Sequence, residues 1–340
     1  MIKLNLLSNF FKNIFLKKDA KPLFLNNKIS SKLEINFDFY KFGKKNKNKI
    51  FYVIKRTPGA GLFSNLIYVF NHLELAIRNN FIPIIDMKNF ITIYNERKKI
   101  NSSFNTWDYY FEKINNYKLN EVYKSQNVII TKNKFFKQFS NTITSNKFAN
   151  IGESYIKIKS KFINESNNFF NKNLNYNTLA VHYRGTSYKT SANHPFPATH
   201  EQAINKINKL ISLHNYKKIF LCTEDKEFFN KMKKNFQSNL HYINSYRSYK
   251  DDAFKKFPRK LHRYKLGCEI LLEALIISKC KGFLHAQTNV SEFVKYLDKR
   301  NQIKYYTLFN GLNTSNEYLA PYMWYYKNFA PEIFGGFKDK

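Results

Sequence analysis

The chain has 340 residues, and its 57 Lys plus Arg against 24 Asp plus Glu leave a net charge of +33. Hydrophobic residues at 43% and aromatics at 18% exclude a largely disordered chain, ten glycines exclude a collagen-like one, and the length accommodates two domains. Three cysteines, Cys222, Cys268 and Cys280, exclude a disulfide framework and favour a reducing, cytoplasmic setting.

Residues 1–20 carry Leu4, Leu7, Phe11, Ile14 and Phe15 at helical spacing, flanked by Lys3, Lys12, Lys17 and Lys18. Such a stripe suits a helix lying on an anionic membrane surface, at the inner face of the cytoplasmic membrane, and equally a short core helix. It is too short for a signal-peptide pattern, and no apolar run reaches the ~20 residues that span a bilayer. Further lysines are scattered among asparagines, as in residues 41–49 (KFGKKNKNK), which reflects the bias of an AT-rich genome more than a basic site. With no zinc-finger spacing, RNP-type motif or long Lys/Arg block, nucleic acid is not an expected partner.

Residues 50–55 (IFYVIK) read as a buried strand, followed by the loop of residues 56–61 and a helix over 64–79 whose Leu66, Val69, Phe70, Leu73 and Ala76 share one face. Residues 81–86 (FIPIID) complete a β-loop-α-β unit, the seed of an α/β domain. Gly59 and Gly61 in the loop permit close backbone approach to a ligand or domain partner, or simply a turn. Residues 88–149 are less patterned, with an aromatic cluster at Trp107, Tyr109, Tyr110 and Phe111 and a strand at 128–131. An amphipathic stretch over 155–173 closes a first domain of residues 21–174 as a bridging helix.

In the second domain, residues 175–340, strands at 179–183, 218–222, 240–243, 282–285 and 303–308 alternate with helices at 199–213, 225–236, 262–280 and 289–299. This alternation predicts a parallel sheet covered on both faces, a Rossmann-like domain without the GxGxxG of dinucleotide binders. Ligands of such sheets bind beyond the carboxyl ends of the strands. There the sequence places His182 and Arg184, then Thr223, Glu224 and Asp225, then Gln287, Thr288, Asn289 and Ser291 at a helix start. A guanidinium and a helix amino terminus suit a phosphate, and a carboxylate suits ribose or a base, so together they suit a nucleoside diphosphate. Each has a structural alternative: Arg184 as an ion-pair partner of Glu224 or Asp225, Asp225 and Thr288 as helix caps, Thr223 in a turn. Glu269 and Glu273, one helical turn apart, form a conceivable acid/base pair or belong to a core-facing helix. The adjacent Asp251 and Asp252 read as solvated charge, and no DxD or clustered zinc ligands occur, so no metal is expected.

The segments from His182 to Thr186, from Thr223 to Asp225 and from Gln287 to Glu292 resemble the three motifs of the fucosyltransferase superfamily, which includes the nodulation, N-glycan core and protein O-fucosyltransferases. The first half adds similar segments, Pro58 to Asn65 with Ser64 and Asn65 among them, Asn105 to Glu112, and Glu121 to Ser125, so the resemblance spans about residues 50–330. It implies a GT-B glycosyltransferase, two Rossmann-like domains facing a central cleft. The second domain would hold the nucleotide-sugar donor, possibly GDP-linked, and the first the oligosaccharide or lipid-linked saccharide acceptor. No cofactor is required. Arg184 then grips the donor diphosphate, Asp225 stands near the nucleoside, and Thr288 and Asn289 contact phosphate. Ser187 replaces the aspartate that closes the first motif in the core enzyme, and His194 is the nearest titratable group to serve as base, or a loop histidine held by Pro195. The expected function is transfer of fucose or a related sugar onto capsule or lipopolysaccharide. The alternatives are a non-catalytic basic binder of nucleic acid or polysaccharide and a transferase of another activated anionic group.

Overall fold

The structure, a computed structural model, describes residues 37–56, 60–131 and 146–338; the stripe within residues 1–20 and Gly59 lie outside the described residues. The chain divides into two compact units, Met1–Lys159 and Ser160–Lys340.

The first unit contains β1 (Phe37–Tyr40), β2 (Lys45–Ile54), α1 (Leu62–Arg78), β3 (Ile82–Ile85), the short α2 (Trp107–Tyr110) and α3 (Leu119–Val122), β4 (Ser125–Thr131) and α4 (Asn146–Tyr155). Its sheet has the order β1-β4-β2-β3, with β2 parallel to β3 and β4 and β1 antiparallel to β4. Phe51, Tyr52, Val53 and Ile54 are fully buried, which accounts for their unbroken apolar run: a central strand covered on both faces has no polar side to alternate with. Leu66, Val69, Phe70, Leu73 and Ala76 of α1 are buried as their spacing predicts.

The second unit contains α5 (Ser160–Asn173), β5 (Thr178–Tyr183), α6 (His200–His214), β6 (Lys218–Thr223), α7 (Lys226–Phe236), β7 (Leu240–His241), α8 (His262–Ile277), β8 (Gly282–His285), α9 (Asn289–Leu297), β9 (Lys304–Thr307) and α10 (Ala320–Phe329). All five strands are parallel in the order β7-β6-β5-β8-β9, the Rossmann arrangement read from the sequence. Leu179, Val181, Tyr183, Ile219, Leu221 and Leu284 pack with Ala203 and Ile207 of α6 and Phe228 and Met232 of α7 into one core. Enclosing a side chain such as Phe228 contributes roughly 1.5–3 kcal/mol.

Two expectations are corrected. The stretch over 155–173 is helical only from Ser160, as α5, since α4 ends at Tyr155; α5 groups with the second unit, so the division falls at 159/160 and not at 174/175. Phe169 lies 5.6 Å, ring to ring, from Phe220 of β6, and the Lys161 ammonium donates to the Tyr264 hydroxyl of α8 at 2.7 Å. The strand read as residues 240–243 pairs only through Leu240 and His241, because β7 is an edge strand and the chain then turns away. Among the described residues, no helix is long and apolar enough to cross a membrane.

Candidate functional site

Chain order reverses between β5 and β8, so their carboxyl ends open the crevice where ligands of such sheets bind. The register sets His182 beside His285 on β8 and Cys222 on β6. Both histidines are buried. Burial, then the nearby Arg184 charge and His285, push His182 down to about 3. Burial pushes His285 down to about 4, with its bond to the Ala286 carbonyl opposing and Lys295 assisting. Both rings are therefore neutral at pH 7. The Ala286 carbonyl, 2.9 Å from His285 Nδ1, can only accept, so Nδ1 carries the proton and Nε2 is a bare acceptor; His182 Nδ1 and His285 Nε2 are buried without a hydrogen-bond partner.

Beyond β5 the chain turns around Glu224. Its Oε1 accepts from the Gly185 N–H (3.2 Å), the Thr186 N–H (3.3 Å) and the Thr186 hydroxyl (3.1 Å), and lies 3.6 Å from Arg184 Nε. The Arg184 guanidinium donates to Ser187 Oγ at 3.0 Å and stacks over Tyr188 with 5.0 Å to the ring centre. It is thus oriented from three directions while its side chain keeps 37% exposure. Gly185 is required by space: a Cβ there would collide with the Asp225 carboxylate and approach the Tyr183 ring to 2.6 Å. Gly185→Ala is expected to destabilise the second unit by about 1–3 kcal/mol through this overpacking, read as a lower urea midpoint at unchanged slope.

Asp225 caps α7. One oxygen accepts from the Phe228 N–H at 3.0 Å and the other lies 3.5 Å from His200 Nε2, with the residue 3% exposed. Burial raises its pKa, but the bonds from His200 and the Phe228 N–H outweigh this and hold it below the usual carboxylate range. Its carboxylate is engaged within the fold, as is the Thr223 hydroxyl, which accepts from the Asp225 N–H. At α9, Thr288 and Ser291 form a reciprocal capping box. Their hydroxyls are committed to the helix, so the ligand-facing contribution of this end is its leading N–H groups, at Asn289 and Val290, and the dipole. Gln287 is exposed and Asn289 half-buried.

His194 is exposed. Its Nδ1 lies 2.8 Å from the Ala192 carbonyl, and its ring centre lies 4.9 Å from Tyr188. Tyr188 therefore touches both Arg184 and His194, a bridging role that its place four residues past the arginine did not advertise. The loop bearing these groups is tied to the chain after β9: the Asn193 N–H donates to the Thr314 carbonyl, the Phe196 N–H to the Gly311 carbonyl, and Trp324 of α10 donates its indole N–H to the Pro197 carbonyl at 2.9 Å.

A polar cavity of about 420 Å³ lies past β6 and β7, lined by Lys226, Phe229, Tyr242, Tyr246, Arg247 and Arg259. Arg259 grips both oxygens of Glu269. Glu273, also on α8, is buried and accepts from Ser245 Oγ at 3.0 Å. Burial pushes its carboxyl up to about 8, against the pull of Arg247 and the Ser245 bond. The two glutamates thus do different things, one ion-paired and one neutral at pH 7. The signal for the second was an acid whose neighbours one turn away on the helix are the apolar Ile270, Ile276 and Ile277 together with a second acid, Glu269.

In the first unit, Arg56 at the end of β2 stacks over Tyr68 and lies 3.5 Å from Ser64 Oγ. Asn65 exchanges two hydrogen bonds with the Ala60 backbone, fastening the loop. Gly61 caps α1 without a side-chain hydrogen bond, and a Cβ there would meet nothing within 4 Å. Among the described residues no group of three or more His, Cys, Asp or Glu could hold a metal ion.

No family model matches the chain, and no curated protein matches it in sequence. Similar solved structures include the NodZ α-1,6-fucosyltransferase co-crystallized with GDP, at 15% identity and TM-score 0.49 over 75% of this chain and 93% of that one. The fucosyltransferase NodZ from Bradyrhizobium is similar at 14% identity and TM-score 0.49 over 75% and 94%. POFUT1 in complex with GDP is similar at 10% identity and TM-score 0.45 over 76% and 98%.

Proposed function

We propose that this chain is a nucleotide-sugar-dependent glycosyltransferase of the fucosyltransferase-like group. The observation that supports this most is the braced, partly exposed Arg184 at the topological switch point, next to neutral histidines, in a domain that also presents the α9 amino terminus at the same sheet edge. Cleavage of a sugar–phosphate bond leaves the electron pair on the departing diphosphate as positive charge develops on the sugar. Arg184 and the α9 N–H groups stabilise that diphosphate, and a sheet end kept free of protonated histidine holds its charge in fixed donors. His194, on the exposed loop beside Tyr188, is the group to accept the proton of the acceptor hydroxyl. The cavity at Arg247 supplies cations and aromatic rings for the nucleoside end. Fucose or a related hexose is the transferred group, and an oligosaccharide or lipid-linked saccharide of capsule or lipopolysaccharide is the acceptor. The enzyme works at the inner face of the cytoplasmic membrane.

A thermal-shift screen with GDP, UDP, ADP and dTDP tests the reading. One selective stabiliser is expected, contributing about 2.7 kcal/mol at a hundredfold excess over Kd. Stabilisation by DNA or heparin alone, lost steeply with salt, would instead establish a basic binder. A second expectation follows from the cationic groups at the phosphate position: EDTA leaves transfer intact. Complete loss on chelation, restored by Mn²⁺ or Mg²⁺, would contradict it.

A further inference from the structure

Three cations converge on Phe229 of α7. The Arg247 guanidinium lies 4.1 Å from its ring centre, the Lys226 ammonium 5.2 Å and the Lys233 ammonium 5.8 Å. The face of the ring attracts each of them, but it does not cancel their repulsion for one another. The acids of the neighbouring helices are committed elsewhere: Glu227 of α7 lies 3.7 Å from Lys231, and Glu269 of α8 is held by Arg259. Glu273, the other acid of α8, is neutral at pH 7. Arg247 donates to the carbonyls of Ser245 (2.9 Å) and Ile243 (3.0 Å), which fix the guanidinium without compensating its charge, and its Nε is left without a hydrogen-bond partner.

Two of these cations, Lys226 and Arg247, line the cavity of about 420 Å³ together with Phe229, Tyr242 and Tyr246. That volume is in the range of small-molecule sites. The backbone around it is tied down: the Tyr246 N–H donates to Glu269 at 3.1 Å, the Lys226 N–H to the Ser248 carbonyl, and the Ser248 N–H to the Glu224 carbonyl. Fixed, uncompensated positive charge beside aromatic rings suits an anion carried on a flat organic body. Of the common anions, a phosphate ester makes the most of a guanidinium and an ammonium together.

Glu273 stands behind the same cavity. Its carboxyl accepts from Ser245 Oγ, and Ser245 is itself a lining residue. The groups that face it are Arg247 and Ser245 from the chain after β7, Glu269 on its own helix, and Glu224 and Cys222 from β6 and its end. Arg247 is the single cation among them. An anion in the cavity and an ionised Glu273 therefore compete for one guanidinium, and each disfavours the other.

We propose that the Arg247 cavity binds a phosphate monoester with an aromatic body through Lys226 and Arg247, and that ionisation of Glu273 releases it. This goes beyond the transferase reading, which brings a nucleoside end to the cavity, and it needs neither Arg184 nor the α9 amino terminus.

The test is calorimetric titration of the full chain with phenyl phosphate, whose second ionisation, at about pH 6, leaves its charge nearly constant from pH 7 to 9. Saturable binding is expected at pH 7, weakened by about tenfold or more in Lys226→Gln. Lys226 is the residue to change because its side chain makes no hydrogen bond or ion pair among the described residues, so the variant should fold as the wild type does; its melting temperature checks this. From pH 7 to pH 9 the wild-type affinity should fall by about fivefold, while Glu273→Gln, which stays neutral, should hold its affinity. Absence of binding at pH 7, or equal affinity in wild type and Lys226→Gln, would overturn the site. The same pH decline in Glu273→Gln would overturn the coupling. Displacement of phenyl phosphate by a stabilising nucleotide assigns the phosphate to that nucleotide, and joint binding assigns it to a separate organic phosphate. Nucleotide stabilisation without phenyl phosphate binding sinks this proposal and leaves the transferase reading standing; phenyl phosphate binding without any nucleotide response does the reverse.

Discussion

Arg184→Lys is expected to lower sugar transfer by on the order of 10² or more while leaving the fold intact. Lysine keeps the charge but cannot reproduce the planar fork, which donates to Ser187 and stacks on Tyr188 while the side chain keeps 37% exposure. A loss of 10² corresponds to about 2.7 kcal/mol of transition-state stabilisation. It should fall on kcat more than on KM, because charge builds on the leaving diphosphate only as the bond breaks. The Glu224 cluster still closes the turn through Gly185 and Thr186, so the melting temperature should change little. Wild-type turnover in Arg184→Lys would remove the arginine from the reaction.

The second large effect concerns Glu273. Its carboxyl is raised from the usual value of 4.5 to about 8 in the folded chain, chiefly by burial. Between those values the folded state holds a proton that the unfolded state has released. Stability therefore falls as pH rises from about 5 to about 8, and the penalty is fully present above the folded value. Glu273→Gln keeps an acceptor for Ser245 and removes the titration. The difference in unfolding free energy, variant minus wild type, should grow in the variant's favour by on the order of 3–5 kcal/mol across that window. Urea unfolding at several pH values measures it directly. A difference independent of pH would show that Glu273 is not a buried neutral acid.

How far the sequence disclosed the site depended on what kind of information each residue carried. The β5, β6 and β8 ends were legible because buried parallel strands are short apolar runs, and where such a run stops the ligand edge begins; His182, Arg184 and Thr288 could be placed on that basis alone. Helix α5 was given to the wrong unit because periodicity identifies which face is buried and not which partner buries it; Phe162 and Phe169 would suit either neighbour. Asp225 stands directly before a helix, where the same residue type serves as cap or ligand, and only the geometry shows both oxygens engaged. Tyr188 was invisible because its significance lies in touching two side chains ten residues apart. Glu273 was discounted inside a helix apolar on nearly every side, although an acid in such surroundings is the pattern that shifts a pKa.

The ties between the His194 loop and residues 311–324 bear on the order in which this unit is built. A ribosome releases β5 through β9, and with them every strand of the second sheet, before it releases α10. The sheet and the Glu224-centred turn can therefore form on the emerging chain, while the carbonyls of Gly311 and Thr314 and the indole of Trp324 arrive last. A chain cut after Thr307 would hold a complete strand ladder and a seated Arg184 but a loop without its clasp. Under the proposed function, the emerging chain would be able to hold a nucleotide-sugar donor before the His194 loop is clasped.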